Sequence, residues 1–195
     1  GAGTLVAGNA AALGIGTVTV GGGRLIVAAG VTLGNDVVFS SGTVGGNGAF
    51  GAPLEIPAGG TAAPGDSIGL LTAEAGLGFG DGAVYEWEFD DGGADLLAVA
   101  GQLRMADSPA TVIRTIRLGG SSLPPELTLF TFDELSGAGP DDRLGWTVTG
   151  ALAGYQAQVA GDGRSIFLIP GGIIPEPATL ALLALLAAFR PRRRG

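Results

Sequence analysis

This chain of 195 residues contains neither histidine nor cysteine, which removes the commonest general base, any Ser-His-Asp or Cys-His mechanism, and all disulfides. Its net charge of −8 sets 18 acids against ten arginines with no lysine, and 17 of the acids share residues 1–172 with six arginines, a body that repels nucleic-acid phosphates. The 38 glycines and 11 prolines approach a disordered composition, but a hydrophobic fraction of 46% supplies the apolar surface that disordered chains lack.

Gly1 opens the chain without Met, a basic stretch or an apolar stretch, so a signal peptide is expected upstream of a fragment or processed form. Residues 1–80 are broken by glycine every few positions. Thr17-Val18-Thr19-Val20 runs into Gly21-Gly22-Gly23, expected as a turn, and then into Arg24-Leu25-Ile26-Val27. Val31-Thr32-Leu33, Gly34-Asn35-Asp36 and Val37-Val38-Phe39 follow. Val18/Val20, Leu25/Val27, Val31/Leu33 and Val37/Phe39 keep the period of two that marks a half-buried strand. Strands of three or four residues are too short for an ordinary sandwich. They suit the rungs of a β-solenoid, in which each coil buries its apolar face on the next.

From about Asp81 the predicted strands lengthen. Ala83–Phe89 places Tyr85, Trp87 and Phe89 on one face and Val84, Glu86 and Glu88 on the other. The turn Asp90-Asp91-Gly92-Gly93 leads to a strand over Asp95–Val99, and further strands are predicted near Gln102–Met105, Val112–Leu118, Glu126–Phe132, Trp146–Thr149 and Ser165–Ile169. Pro124-Pro125 and Ser136–Asp142 read as loops.

After Pro175-Glu176-Pro177 the chain changes character. Residues 178–189 are apolar but for Thr179, rich in Ala and Leu with Leu180, Leu182, Leu183, Leu185, Leu186 and Phe189, and predict a helix starting near Pro177. Twelve such residues span about 18 Å, against a hydrocarbon core of about 30 Å. Arg190, Arg192, Arg193 and Arg194 close the chain as a basic anchor, which the positive-inside rule places in the cytoplasm with the acidic body outside.

Pro175-Glu176-Pro177, the apolar stretch from Ala178 and the arginine-rich terminus together resemble the PEP-CTERM sorting signal. That resemblance implies an exported protein of a Gram-negative bacterium, handled by an exosortase-type membrane enzyme and held transiently or permanently in the inner membrane by its tail. Two features depart from the pattern, the short apolar stretch and Pro191 within the basic run. A second resemblance concerns residues 11–170. Leu13–Val20 with Gly22-Gly23-Arg24-Leu25 is similar to the autotransporter-associated β-strand repeat, and Gly59–Thr72 to the segment that closes such arrays. The aromatic/acidic strand Tyr85–Phe89 and the short Asp95–Val99 strand follow in the same order. This second resemblance implies a right-handed parallel β-helix of the kind carried by surface adhesins.

The densest acidic cluster, Glu86, Glu88, Asp90, Asp91 and Asp95, offers two chemistries. Glu86 and Glu88 sit about 7 Å apart on one strand face, a spacing that suits the carboxylate pair of a polysaccharide-active enzyme. Calcium could be held by Asp90, Asp91 and Asp95, or at Gly78–Gly82, which partly matches a Gly-rich calcium-binding repeat. The simpler alternative is a solvated strand face and a turn using Asp and Gly for their backbone preferences. Tyr85, Trp87, Trp146 and Tyr155 offer a sugar-stacking platform, or a buried aromatic core.

The expectation is an all-β protein: solenoid repeats over 1–80, a β-rich region over 81–170 that continues or caps them, and a linker with the sorting helix over 171–195. No catalytic residue and no resident cofactor or metal is assigned. The expected role is structural or adhesive, at the surface or in an exopolysaccharide matrix.

Overall fold

The computed structural model describes residues 3–124, 126–137 and 143–171. Among them there are sixteen strands and no helix. The first nine are β1 (Thr4–Ala7), β2 (Val18–Val27), β3 (Thr32–Leu33), β4 (Val37–Gly46), β5 (Ala49–Phe50), β6 (Leu54–Ile56), β7 (Gly60–Pro64), β8 (Leu70–Ala73) and β9 (Leu77–Phe79). Longer strands follow: β10 (Val84–Phe89), β11 (Leu96–Met105), β12 (Val112–Arg117), β13 (Thr128–Ser136), β14 (Thr147–Gly150), β15 (Tyr155–Val159) and β16 (Ser165–Pro170).

One sheet has the order β1-β2-β4-β7-β10-β12-β14, and every neighbouring pair in it is parallel. Parallel neighbours need a crossover, ordinarily a helix. Here each crossover from β2 onward is itself made of strands: β3, then β5 and β6, then β8 and β9, then β11, then β13. These crossover strands pair with one another in parallel, β3-β5-β8-β11-β13, with β6 and β9 forming a branch against the second half of β11. The stacking step is nearly constant over the first rungs and then grows. Thr4 lies beside Arg24, Arg24 beside Thr43, Thr43 beside Thr61, Thr61 beside Val84, Val84 beside Val112 and Val112 beside Thr147, so the intervals are 20, 19, 18, 23, 28 and 35 residues.

Period-two alternation turns this register into apolar columns. Leu25, Val44, Ala62, Tyr85 and Ile113 succeed one another inside the first sheet, each no more than 1% exposed. Leu33, Phe50, Ala73, Val99 and Phe132 form a buried column in the second, and Leu54, Leu77 and Leu103 form another in the branch. The outward positions carry polar contacts between rungs. Arg104 reaches across Gly78 to pair with Glu55, and the Thr32 hydroxyl donates to Glu74 at 3.1 Å. The stack ends in a change of polarity: β16 runs antiparallel to β13, and β15 antiparallel to β16. Ala157, Ile166 and Leu168 from this hairpin are buried against the last rung.

Several sequence expectations change. Gly21-Gly22-Gly23, expected as a turn, lies inside the ten-residue strand β2, and β4 is equally long. Gly22 and Gly23 have φ of 128° and 77°, so the strand bends without reversing and keeps its parallel neighbour. The two strands expected at Asp95–Val99 and Gln102–Met105 are one, β11, kinked where its pairing with β13 shifts between Val99 and Gln102. The strand expected at Glu126–Phe132 begins at Thr128 and runs on to Ser136, into the stretch read as a loop. The sheets run on across residue 80, β7 pairing with β10 and β9 with β11, and the region after it was expected to continue or cap the repeats.

Close approach between rungs sets a test of the stack. Gly42 has φ of 102°, and a Cβ there would meet the Gly23 carbonyl of the rung beside it, whereas Gly119 is exposed with nothing near. Gly42→Ala is expected to cost more than about 2 kcal/mol and Gly119→Ala less than about 0.5 kcal/mol, read from urea unfolding midpoints.

Candidate functional site

The acidic and aromatic residues singled out by sequence come together where β10 turns into β11. The alternation of β10 points Tyr85, Trp87 and Phe89 into the core, each fully buried. Their polar handles are used inside: the Tyr85 hydroxyl donates to the Leu129 carbonyl at 3.1 Å, and Trp87 Nε1 donates to the Asp95 carbonyl at 2.7 Å. Burial, with the nearby Asp95 charge adding to it, raises the Tyr85 phenol well above its ordinary value. Trp146 is 6% exposed and donates from Nε1 to the Ala106 carbonyl at 3.1 Å. Phe79, Tyr85, Phe130 and Trp146 pack ring against ring at centroid separations of 4.6–6.3 Å. Tyr155 is half-buried on β15. Tyr85, Trp87 and Trp146 are therefore core, with no open face on which a sugar could stack.

Glu86 and Glu88 share the outward face of β10, as expected. Glu86 pairs with Arg114, its register neighbour on β12, at 3.1 Å. Burial raises the pKa of Glu88, Glu86 and Asp66 push it the same way, and Arg24 opposes them. A carboxyl whose pKa is raised beside a second carboxylate is one element of a glycoside-cleaving pair. Such a pair also needs a cleft to hold sugar on both sides of the bond. Cavities of about 310, 260, 500 and 390 Å³ lie on the described surface, and Glu86 and Glu88 line none of these four.

The aspartates of the cluster bind backbone. Asp90 closes its own turn, accepting from the Gly92 and Gly93 amides at 2.7 and 3.0 Å. Asp91 accepts from the amides of Ser121 and Ser122 at 3.3 and 3.0 Å, joining this turn to the loop after β12. Asp95 is 1% exposed, and its two carboxylate oxygens each accept a backbone N–H at 2.8 Å, from Gly69 and from Glu88. On that side β7 reaches β10 only at Val84 and Tyr85, so Asp95 supplies an acceptor where the strand partner has ended. Asp133 accepts from Gly101 at the kink of β11, and Asp107 from Gly145. Sequence reading missed these last two, because their partners lie 32 and 38 residues away and only the growing step brings them together.

No group of three or more His, Cys, Asp or Glu side chains converges on one point among the described residues. Gly78 lies beneath the Glu55–Arg104 pair within β9. The residues expected to carry sorting, Pro175, Glu176, Pro177, the apolar run Ala178, Leu180, Leu182, Leu183, Leu185, Leu186 and Phe189, and Arg190, Arg192, Arg193 and Arg194, lie outside the described residues. Among the described residues no helix is long and apolar enough to cross a membrane.

Burial pushes the Asp95 carboxyl up to about 7, against the two backbone N–H donors that favour its charged form and with Glu88 and Glu86 adding to the rise. The folded state then binds more protons at Asp95 than the unfolded state between its ordinary value of 3.8 and about 7, so this group's contribution to stability falls as pH rises through that window. Asp95→Asn, which turns an amide N–H toward a backbone N–H, is expected to cost about 1–3 kcal/mol at pH 5 and to flatten the pH dependence. Urea unfolding of both proteins from pH 4 to pH 8 measures it. No protein-family model, curated protein or solved structure matches this chain.

Proposed function

We propose that this chain is the rod and sorting tail of an exported, non-enzymatic surface or extracellular-matrix protein. Its body is read as a right-handed parallel β-helix, closed at its C-terminal end by the β15–β16 hairpin. The parallel sheets with strand crossovers and the inward columns favour that fold, and the hand follows from the resemblance to autotransporter-associated repeats. One observation carries the functional reading: most of the richest acidic and aromatic cluster is engaged within the stack, in the Glu86–Arg114 pair, the aspartate caps and the buried rings. A body organised in this way transmits load from rung to rung through contacts between neighbours. Its excess of acids keeps it soluble and available to the polymers of an exopolysaccharide matrix.

The tail supplies delivery. Pro175-Glu176-Pro177 is the recognition element for an exosortase-type enzyme, the apolar stretch holds the chain in the inner membrane, and the four arginines fix its orientation. The apolar stretch is short for a lasting span, which suits a transient anchor.

Two measurements test this reading. In the native host the mature protein is expected to end at or near Pro175, by mass spectrometry, and to keep residues 176–195 when the exosortase is deleted. A mature chain ending at Gly195 in both strains removes the sorting claim. On a panel of matrix polysaccharides the purified protein is expected to release no new ends. Turnover that is lost in Glu86→Gln or Glu88→Gln replaces this reading with that of a polysaccharide-active enzyme.

A further inference from the structure

Away from the acidic cluster, a groove of about 500 Å³ crosses the outer face of the second sheet. Its floor is one register row: Thr72 of β8, Ala98 of β11, Thr131 of β13 and Ser165 of β16 lie side by side. Alternation turns these four outward, since Leu71, Leu97, Phe130 and Ile166 beside them are buried. All four are small and three carry hydroxyls. Three strand steps, about 14 Å, separate Thr72 from Ser165.

The two sides of the row differ. On one side stand Asp133, Asp162 and Arg164, all exposed and lining the groove. Asp133 gives Oδ2 to the Gly101 amide at 2.8 Å, and Asp162 gives Oδ1 to the Arg164 amide at 2.9 Å. Among the described residues no hydrogen bond uses the second oxygen of either, and the Arg164 guanidinium makes no salt bridge, unlike those of Arg104, Arg114 and Arg117. On the other side the same face carries Leu70, Leu96 and Phe167, each two residues along from a floor residue and none of them fully buried.

This combination selects its occupant. The floor is the middle of a sheet, where backbone groups are engaged with neighbouring strands, so a peptide cannot join it by strand pairing, which needs an edge. Two aspartates to one arginine, on a body with 17 acids, disfavour an anionic polymer. A hydroxyl both donates and accepts, so a chain of hydroxyls can give protons to the aspartates, accept from the guanidinium, and do either with Thr72, Thr131 and Ser165. We propose that this groove binds a neutral polysaccharide laid across β8, β11, β13 and β16, its hydroxyl edges toward Asp133, Asp162 and Arg164 and its apolar ring faces toward Leu70, Leu96 and Phe167. The proposal names a partner for the body and rests on its reading as a matrix protein.

The test uses the full chain, purified in a mild detergent that disperses its apolar 178–189 stretch. Isothermal titration and affinity electrophoresis measure its binding to galactomannan, hydroxyethyl cellulose and dextran, with alginate as the anionic comparison. Saturable binding to at least one neutral polymer is expected, tighter than to alginate. Arg164→Ala is expected to weaken it about tenfold, the loss of a hydrogen bond from a charged group, at an unchanged urea midpoint. Ala98→Gln, which fills the floor, is expected to weaken it at least as much, and Thr43→Val, on the outer face of the first sheet, to leave it unchanged. Absence of saturable binding to every neutral polymer overturns the proposal. So does binding indifferent to Arg164→Ala and Ala98→Gln, which places the contact elsewhere, and so does a preference for alginate. Each of these failures leaves processing of the C-terminus in the host as expected, and a failure of processing leaves the binding constants unchanged.

Discussion

The fold depends on the match between side-chain alternation and parallel register, rung after rung. A parallel step places residue upon residue, so an inward apolar position lies over another inward apolar position and a column forms. Leu25, Val44, Ala62, Tyr85 and Ile113 make one such column, and each gains its burial from the rungs on either side. Fully burying a side chain of leucine or phenylalanine size contributes about 1.5–3 kcal/mol relative to leaving it in water. A single rung cannot realise that gain, which is why Leu5, with a rung on one side only, is half exposed. A register slip of one residue would turn every column outward, so pattern and register enforce each other.

A widening stack needs two devices that a uniform one does not. The N-terminal rungs are filled mainly by Val, Leu and Ala with Phe39 and Phe50, and the larger C-terminal rungs add Tyr85, Trp87, Phe130, Phe132 and Trp146. Both tryptophans and the buried tyrosine thus appear where the step lengthens from 18 to 35 residues and the interior needs volume. Corners between rungs of different length leave backbone amides without strand partners. Asp91, Asp95, Asp107 and Asp133 answer that need by accepting them, and the first two belong to the cluster that sequence alone left open to catalytic or metal-binding readings. Acid at a corner is a local acceptor.

The parts legible in sequence were those governed by local rules. Alternation identified β10 and its two faces correctly, and Gly-punctuated alternating pairs located β2, β3 and β4. Glycine misled where its reason is long-range: Gly21-Gly22-Gly23 looks like a turn, but it bends a continuous strand and lets neighbouring backbones approach. The kink in β11 was hidden for the same reason, since Gly101 bonds to Asp133, a residue two strands later. Pairing partners could not be read, because the interval stays at 18–20 residues for only three steps and then lengthens to 23, 28 and 35, too short a run for a periodic search to find. Of the candidate site, the composition was visible and the geometry was not: Asp95 reads as one acid among five, and only the ending of β7 makes it a cap.

The most direct test of the stack is whether distance follows rung number rather than residue number. Thr4, Thr43 and Thr147 stand in one register column, with Arg24 between the first two and Thr61, Val84 and Val112 between the last two. Cysteine introduced in pairs at these sites, spin-labelled in a chain without native cysteine and diluted with unlabelled protein, reports the separations by pulsed dipolar spectroscopy. With rungs about 4.8 Å apart, Thr43–Thr147 spans four steps, about 19 Å, and Thr4–Thr147 six steps, about 29 Å. Those two values, with the longer for the pair that includes Thr4, are what the parallel stack predicts. A Thr4–Thr147 separation equal to or shorter than Thr43–Thr147 would contradict it.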